Sequence, residues 1–166
     1  MSGGPTPPVV RLDPGLFLTG LAAGSKRELF SAFVSALAER GVTRQGEALL
    51  GVLLEREAVG TTATGAGIAL PHLRSHVVEG TALAFARLAP PLDFGAADGL
   101  PVQVALLLVA PHGAAGARYW PLLAVLAEAA HDEERQRKLL AIETFAELEH
   151  FVSHDLRRRL REALAR

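Results

Sequence analysis

Apolar residues recur at helical spacing through Leu29, Phe30, Phe33, Val34 and Leu37, which lays one apolar face along a helix. Ser25-Lys26-Arg27-Glu28 just ahead of them reads as a capping box, with the hydroxyl placed for the third amide and the carboxylate for the return bond. Gly41 falls where a left-handed C-terminal cap belongs. A second helix is expected from Thr43 to Arg56, with Ala48, Leu49, Val52 and Leu53 facing inward. Gly46 and Gly51 weaken it by about 1 kcal/mol each relative to alanine.

The pattern then changes. Gly60 to Gly67 is small, hydroxylic and glycine-rich and reads as a loop. Ile68 to Leu70 is a short strand stopped by Pro71, which lacks a backbone donor and restricts its predecessor. Further strands are expected at Thr81–Leu88 and Val102–Val109, the second apolar almost throughout, as in a central strand covered on both faces. The last third is helical: Trp120–Ala130 with Pro121 in its first turn, Asp132–Leu140, and a helix opened by the capping box Thr144-Phe145-Ala146-Glu147 and running to about His154. Helices, then strands, then helices point to a single α/β domain, a mixed β-sheet sandwiched by helices on both faces. Residues 1–9 read as a disordered leader, 10–155 as the folded domain, and 156–166 as a basic helical tail whose arginines form a solvated face.

Composition narrows the class. The chain has 166 residues, 49% of them hydrophobic, enough for one real core. Its formal net charge of −1 supplies no global field for nucleic acid or an anionic membrane. The absence of cysteine excludes disulfides, thiolate catalysis and cysteine-ligated metal. No signal peptide is legible, and the longest apolar run, Val104 to Pro111, falls far short of the roughly 20 residues of a membrane helix. A cytoplasmic protein with no membrane insertion is expected.

Candidate chemistry concentrates between Arg56 and Arg74. His72 directly follows a strand-ending proline, which places it at a sheet edge or loop mouth. The loop before it offers backbone N–H groups and the hydroxyls of Thr61, Thr62 and Thr64, a nest suited to an oxyanion or phosphate. Arg56 and Arg74 can supply charge-assisted, fork-like hydrogen bonds to phosphate oxygens. A neutral imidazole is a good nucleophile near neutral pH, and phosphoryl transfer asks the protein mainly to position reactants and neutralise charge. His72 is therefore the candidate phosphoryl acceptor. His72 and His76 are not set in an H-E-x-x-H helix, so no metal site is expected; no Gly-Lys-Ser/Thr follows the glycines, so neither is a nucleotide loop. No cofactor is expected.

The run GTTATGAGIALPH resembles the phosphorylation motif of the fructose/mannitol/nitrogen-regulatory (type 2) EIIA family of the bacterial sugar phosphotransferase system. The pair Arg56-Glu57 upstream, Ser25-Lys26, the Leu83–Leu88 strand, Asp98 to Val102 and Thr144 to Phe151 follow that family's layout over roughly residues 10 to 155. The resemblance implies a mixed sheet flanked by helices, phosphate received on His72 from an HPr-type carrier, and Arg56 stabilising the phosphohistidine. It implies an EIIB domain or a regulated target protein as acceptor. A stand-alone chain fits the nitrogen-regulatory branch better than the transport branch.

One position departs from the pattern. Where the family usually carries a second histidine, this chain has Tyr119 in Tyr119-Trp120-Pro121-Leu122-Leu123-Ala124. Tyrosine donates a hydrogen bond but carries no positive charge near neutral pH; His112, in the loop before, is a candidate to reach in instead. Trp120 reads as helix-start packing, and His131, His150 and His154 as solvated helix residues. The competing readings are a non-catalytic regulatory binding module on the same fold and, more weakly, an enzyme using His72 as a general base. Arg56 as a plain helix-end cation and the threonines as turn residues are the bland alternatives.

Overall fold

Along residues 10–165, the part of the chain that the computed structural model describes, the order is one strand, two helices, five strands and four helices. The leader expected over residues 1–9 lies outside the described residues. A 3-10 turn at Pro14–Leu16 leads into β1 (Phe17–Leu21), then α1 (Lys26–Glu39) and α2 (Gly46–Val59). The strands β2 (Ala63–Gly65), β3 (Ile68–Ala69), β4 (His72–Arg74), β5 (Ala82–Leu92) and β6 (Val102–Ala110) follow. The helices α3 (Tyr119–His131), α4 (Glu133–Ala141), α5 (Phe145–His150) and α6 (Arg157–Leu164) come last.

The most apolar stretch becomes the central strand. β6 pairs antiparallel with β5 on one side and parallel with β3 and then β4 on the other. β1 lies parallel to the far side of β5, and β2 antiparallel to β3, so the sheet is mixed. Val104, Leu106 and Leu108 of β6 join one buried cluster with residues of α3 to α6, while Ala105, Leu107 and Val109 join the other with α1 and α2. That period of two, apolar on both sides, is why β6 shows no polar face.

Helix ends follow their signals. The Ser25 hydroxyl accepts from the Glu28 amide at 3.1 Å. The Glu28 carboxylate reaches back one residue further than expected, to the Gly24 amide at 2.6 Å. Gly41 has φ 72°, and Val42 N donates to Leu37 O at 2.9 Å while Gly41 N donates to Ala38 O at 3.1 Å. This pair of bonds closes α1 in a Schellman cap that only a residue tolerant of positive φ can occupy cheaply. Thr144 caps α5 by accepting from the Glu147 amide at 3.2 Å.

Several expectations are corrected. The glycine-rich segment is not all loop, because Ala63–Gly65 pairs with β3 as a hairpin. Pro71 interrupts the strand without ending it: its carbonyl accepts from Leu108 N at 3.1 Å, and His72 pairs with Leu108 in the register that set Ile68 against Val104. β1 gives almost no sequence signal, being short and at the edge. β5 runs on through Pro90 and Pro91 to Leu92. α2 starts at Gly46, and its inward stripe is Leu49, Leu53 and Glu57, with Ala48 and Val52 turned outward. The helix from Phe145 gives way at Phe151–Asp155 to a π-type turn. In α6, Leu160 is buried in the cluster shared with α3, and Arg159 pairs with Glu128 of α3 at 3.0 Å. No helix among the described residues is long and apolar enough to cross a membrane.

Candidate functional site

His72 opens β4, which among the described residues pairs only with β6, and its ring is half-buried. Nδ1 lies 2.7 Å from the carbonyl oxygen of Leu70. A carbonyl can only accept, so Nδ1 carries the proton and Nε2 of the neutral ring keeps its lone pair. Leu73 enters the core under α1 and α2, so strand alternation turns His72 and Arg74 to the opposite face, toward the start of α3.

There Arg74 meets Tyr119. The guanidinium carbon lies 5.8 Å from the ring centroid, and Nε donates to Pro111 O at 3.4 Å. Tyr119 is almost fully buried, and burial pushes its hydroxyl up to about 12, against the opposing pull of Arg74 and Arg56. The phenol therefore stays protonated and neutral at any physiological pH. Arg56 lies exposed near the end of α2 and donates from Nη1 to the Gly60 carbonyl at 3.2 Å. The site thus draws on three elements: β4, the first turn of α3 and the last turn of α2.

The threonines divide. Thr62 is buried and committed to Glu57, its hydroxyl donating to Oε2 at 2.7 Å. Thr64 donates to the Ile68 carbonyl at 3.2 Å across the hairpin. Thr61 is exposed and its oxygen accepts from Ala63 N at 3.1 Å, which leaves its O–H free to donate outward. Asp98 holds the hairpin tip by accepting from Ala66 N at 2.8 Å and from Leu100 N at 3.1 Å. Those two backbone bonds, the Ala66 one first, keep its carboxyl below the usual aspartate value.

His112 is exposed in the loop just past β6, at the end of the sheet where Arg74 pairs with Ala110. Trp120 is not packed into the helix start as expected: it is 61% exposed, edge-on to Tyr119 at 4.9 Å, because α3 turns Tyr119 inward and its neighbour out. His150 and His154 lie apart from the site and stack on each other at 4.0 Å. No group of three or more potential metal ligands comes together among the described residues.

Sequence reasoning gave no role in the site to three residues that build it. Glu57 continues the stripe of Leu49 and Leu53 at helical spacing, and a carboxylate on an apolar face was the available signal. Asp98 gave only a turn signal. Gly116 gave none, yet a Cβ there would collide with the Pro111 carbonyl, the same oxygen that accepts from Arg74. Chemically, the arrangement offers an unprotonated, accessible imidazole nitrogen with fixed cations close by, suited to an electrophile that brings negative charge.

Residues 12–155 match the family model "Phosphoenolpyruvate-dependent sugar phosphotransferase system, EIIA 2". A nitrogen regulatory protein of Bradyrhizobium diazoefficiens is 40% identical over 129 residues, 77% of this chain and 82% of that protein. The crystal structure of the nitrogen regulatory protein IIA-Ntr from Neisseria meningitidis superposes with a TM-score of 0.74 at 28% identity, covering 84% of this chain and 94% of that one. Enzyme IIA mannitol of Escherichia coli, in its complex with phosphorylated enzyme IIB, shares the fold with a TM-score of 0.71 at 18% identity, over 87% and 98% of the two chains.

Proposed function

The chain belongs to the EIIA type 2 family of the phosphoenolpyruvate-dependent sugar phosphotransferase system, and on that premise we propose that it carries a phosphoryl group on Nε2 of His72. The observation that carries this reading is the bond from Nδ1 to Leu70 O, which leaves Nε2 as the nucleophile. In the proposed step the donor's P–N bond breaks as the Nε2 lone pair forms the new one. Nδ1 keeps its proton, and the Leu70 carbonyl stabilises the positive charge that develops on the ring. Arg74 and Arg56 neutralise phosphoryl oxygens, with Thr61 and the nearby backbone amides as further donors and His112 within the same loop cluster.

The donor is an HPr-type carrier, and the acceptor an EIIB domain or a regulated target, in the cytoplasm. The 40% identity to a nitrogen regulatory protein favours the regulatory branch. Exposed Trp120, edge-on to Tyr119, gives a protein partner apolar surface to cover. Intact-mass measurement after incubation with phosphoenolpyruvate, Enzyme I and HPr-type carriers tests the reading. One acid-labile phosphoryl adduct is expected on wild type and none on His72→Ala.

A second reading, a binding module without transfer, draws on the neutral Tyr119 phenol. Under it, wild type stays unmodified with every carrier and partner binding is indifferent to His72→Ala.

A further inference from the structure

We infer that Glu57 is the positioning residue that decides which ring nitrogen of His72 is free to react, acting through Thr62 and Leu70. The inference deepens the proposed phosphocarrier reading and rests on it only for the rate readout below. Glu57 projects from the inward stripe of α2 and is 6% exposed. A carboxylate there is costly unless its oxygens are fully engaged. They are: Lys26 Nζ lies at 2.8 Å, Thr62 N at 3.1 and 3.2 Å from the two oxygens, and the Thr62 hydroxyl at 2.7 Å.

All of that grip, apart from Lys26, falls on one residue. Thr62 in turn accepts from Leu70 N through its carbonyl at 3.0 Å, and Leu70 accepts from His72 Nδ1 at 2.7 Å. An unbroken run of hydrogen bonds therefore joins a buried carboxylate on α2 to the imidazole on β4. Free imidazole side chains in water hold their neutral proton mainly on Nε2, the atom the proposed chemistry needs bare. The Leu70 carbonyl inverts that preference only while it stays fixed, and Pro71 after it leaves one side of the strand without a donor to fix it. Thr62, clamped by Glu57, supplies the missing anchor. Lys26 helps to hold the clamp in place through its own bond to Oε1. Arg56, next to Glu57 in sequence, faces solvent instead, so the adjacent pair divides its work: one side chain outward to the ligand, the other inward to the nucleophile.

Long-range proton–nitrogen NMR of the histidine rings, on the unphosphorylated chain near pH 8, reads the tautomer directly. Wild type is expected as the Nδ1–H form. Glu57→Gln and the isosteric Thr62→Val are expected to shift His72 toward Nε2–H and to slow phosphoryl acceptance about tenfold or more, while Thr62→Ser, which keeps the hydroxyl, restores both. Thermal melting and signal dispersion report folding. If Glu57→Gln fails to fold, the Thr62 pair decides. A wild-type ring in the Nε2–H form, or a folded Thr62→Val with the wild-type tautomer, overturns the inference. Because the tautomer needs no donor protein, shifted variants alongside a wild type that no carrier phosphorylates would sink the phosphocarrier reading and leave the positioning role standing.

Discussion

Arg74 lies over the ring of Tyr119, its guanidinium carbon 5.8 Å from the centroid, and the pair joins β4 to the first turn of α3. The contact sets a permanent cation against a neutral phenol. Guanidinium cannot lose its proton in the working range, so the positive charge available beside His72 does not switch off as pH rises through neutrality.

Replacing Arg74 tests that role. Arg74→Ala removes a charge-assisted donor worth about 1.5–3 kcal/mol toward an anionic group, so the phosphoryl adduct on His72 is expected to fall about tenfold or more in lifetime or yield. Arg74→Lys, a point charge without the planar fork, is expected to recover only part of it. Timed intact-mass measurement checks both, and an adduct unaffected by Arg74→Ala counts against the guanidinium.

Tyr119 is the single tyrosine of the chain, so its ionisation can be followed by ultraviolet titration. Burial raises the folded-state value to about 12 from the ordinary 10. The sign follows: folding favours the protonated phenol, so the contribution is complete below pH 10 and is lost as pH climbs from 10 toward 12. The expected titration midpoint lies well above 10 in the native protein, with stability declining across that window. A midpoint near 10 with the fold intact means that the ring is solvated.

Gly116 gives a test of the loop that carries His112. A Cβ at this position meets the Pro111 carbonyl, so Gly116→Ala must move backbone, with a cost of order 1–3 kcal/mol for overpacking. Because the same carbonyl accepts from Arg74, the variant is expected to lose both melting temperature and adduct lifetime. Wild-type behaviour in both would show that the loop yields freely.

Much of this fold was legible. Leu29 to Leu37 with a capping box, and Val102 to Val109 with no polar face, each have one structural solution, and both appear where the pattern places them. The family was legible too, because GTTATGAGIALPH keeps its spacing and flanks. What escaped were features decided by contacts distant in sequence. β1 is a strand because β5 offers it an edge, and Ala63–Gly65 is a strand because β3 lies opposite. Neither has the length or alternation to declare itself. In α2 the expected inward face holds at Leu49 and Leu53 but not at Ala48 and Val52, and the expected helix stops at Arg56, one residue short of Glu57, whose carboxylate Lys26 and Thr62 hold inward. Trp120, expected to pack at the helix start, is exposed because Tyr119 takes the inward position beside it.

The orientation of α2 carries its own check. Leu49 is fully buried and Val52 is 37% exposed. Leu49→Ala is expected to cost about 2–5 kcal/mol in denaturant unfolding, and Val52→Ala to stay within about 0.5 kcal/mol. Comparable losses at the two positions would restore the orientation that the sequence pattern suggested.

The measurement closest to the centre is the identity of the phosphorylated atom, read by phosphorus–nitrogen NMR on the chain labelled with nitrogen-15 histidine and charged through Enzyme I and an HPr-type carrier. The expected result is one phosphoryl group bonded to Nε2 of His72, with Nδ1 still protonated against the Leu70 carbonyl. A bond to Nδ1, to any of the other histidines, or no adduct at all would contradict the account.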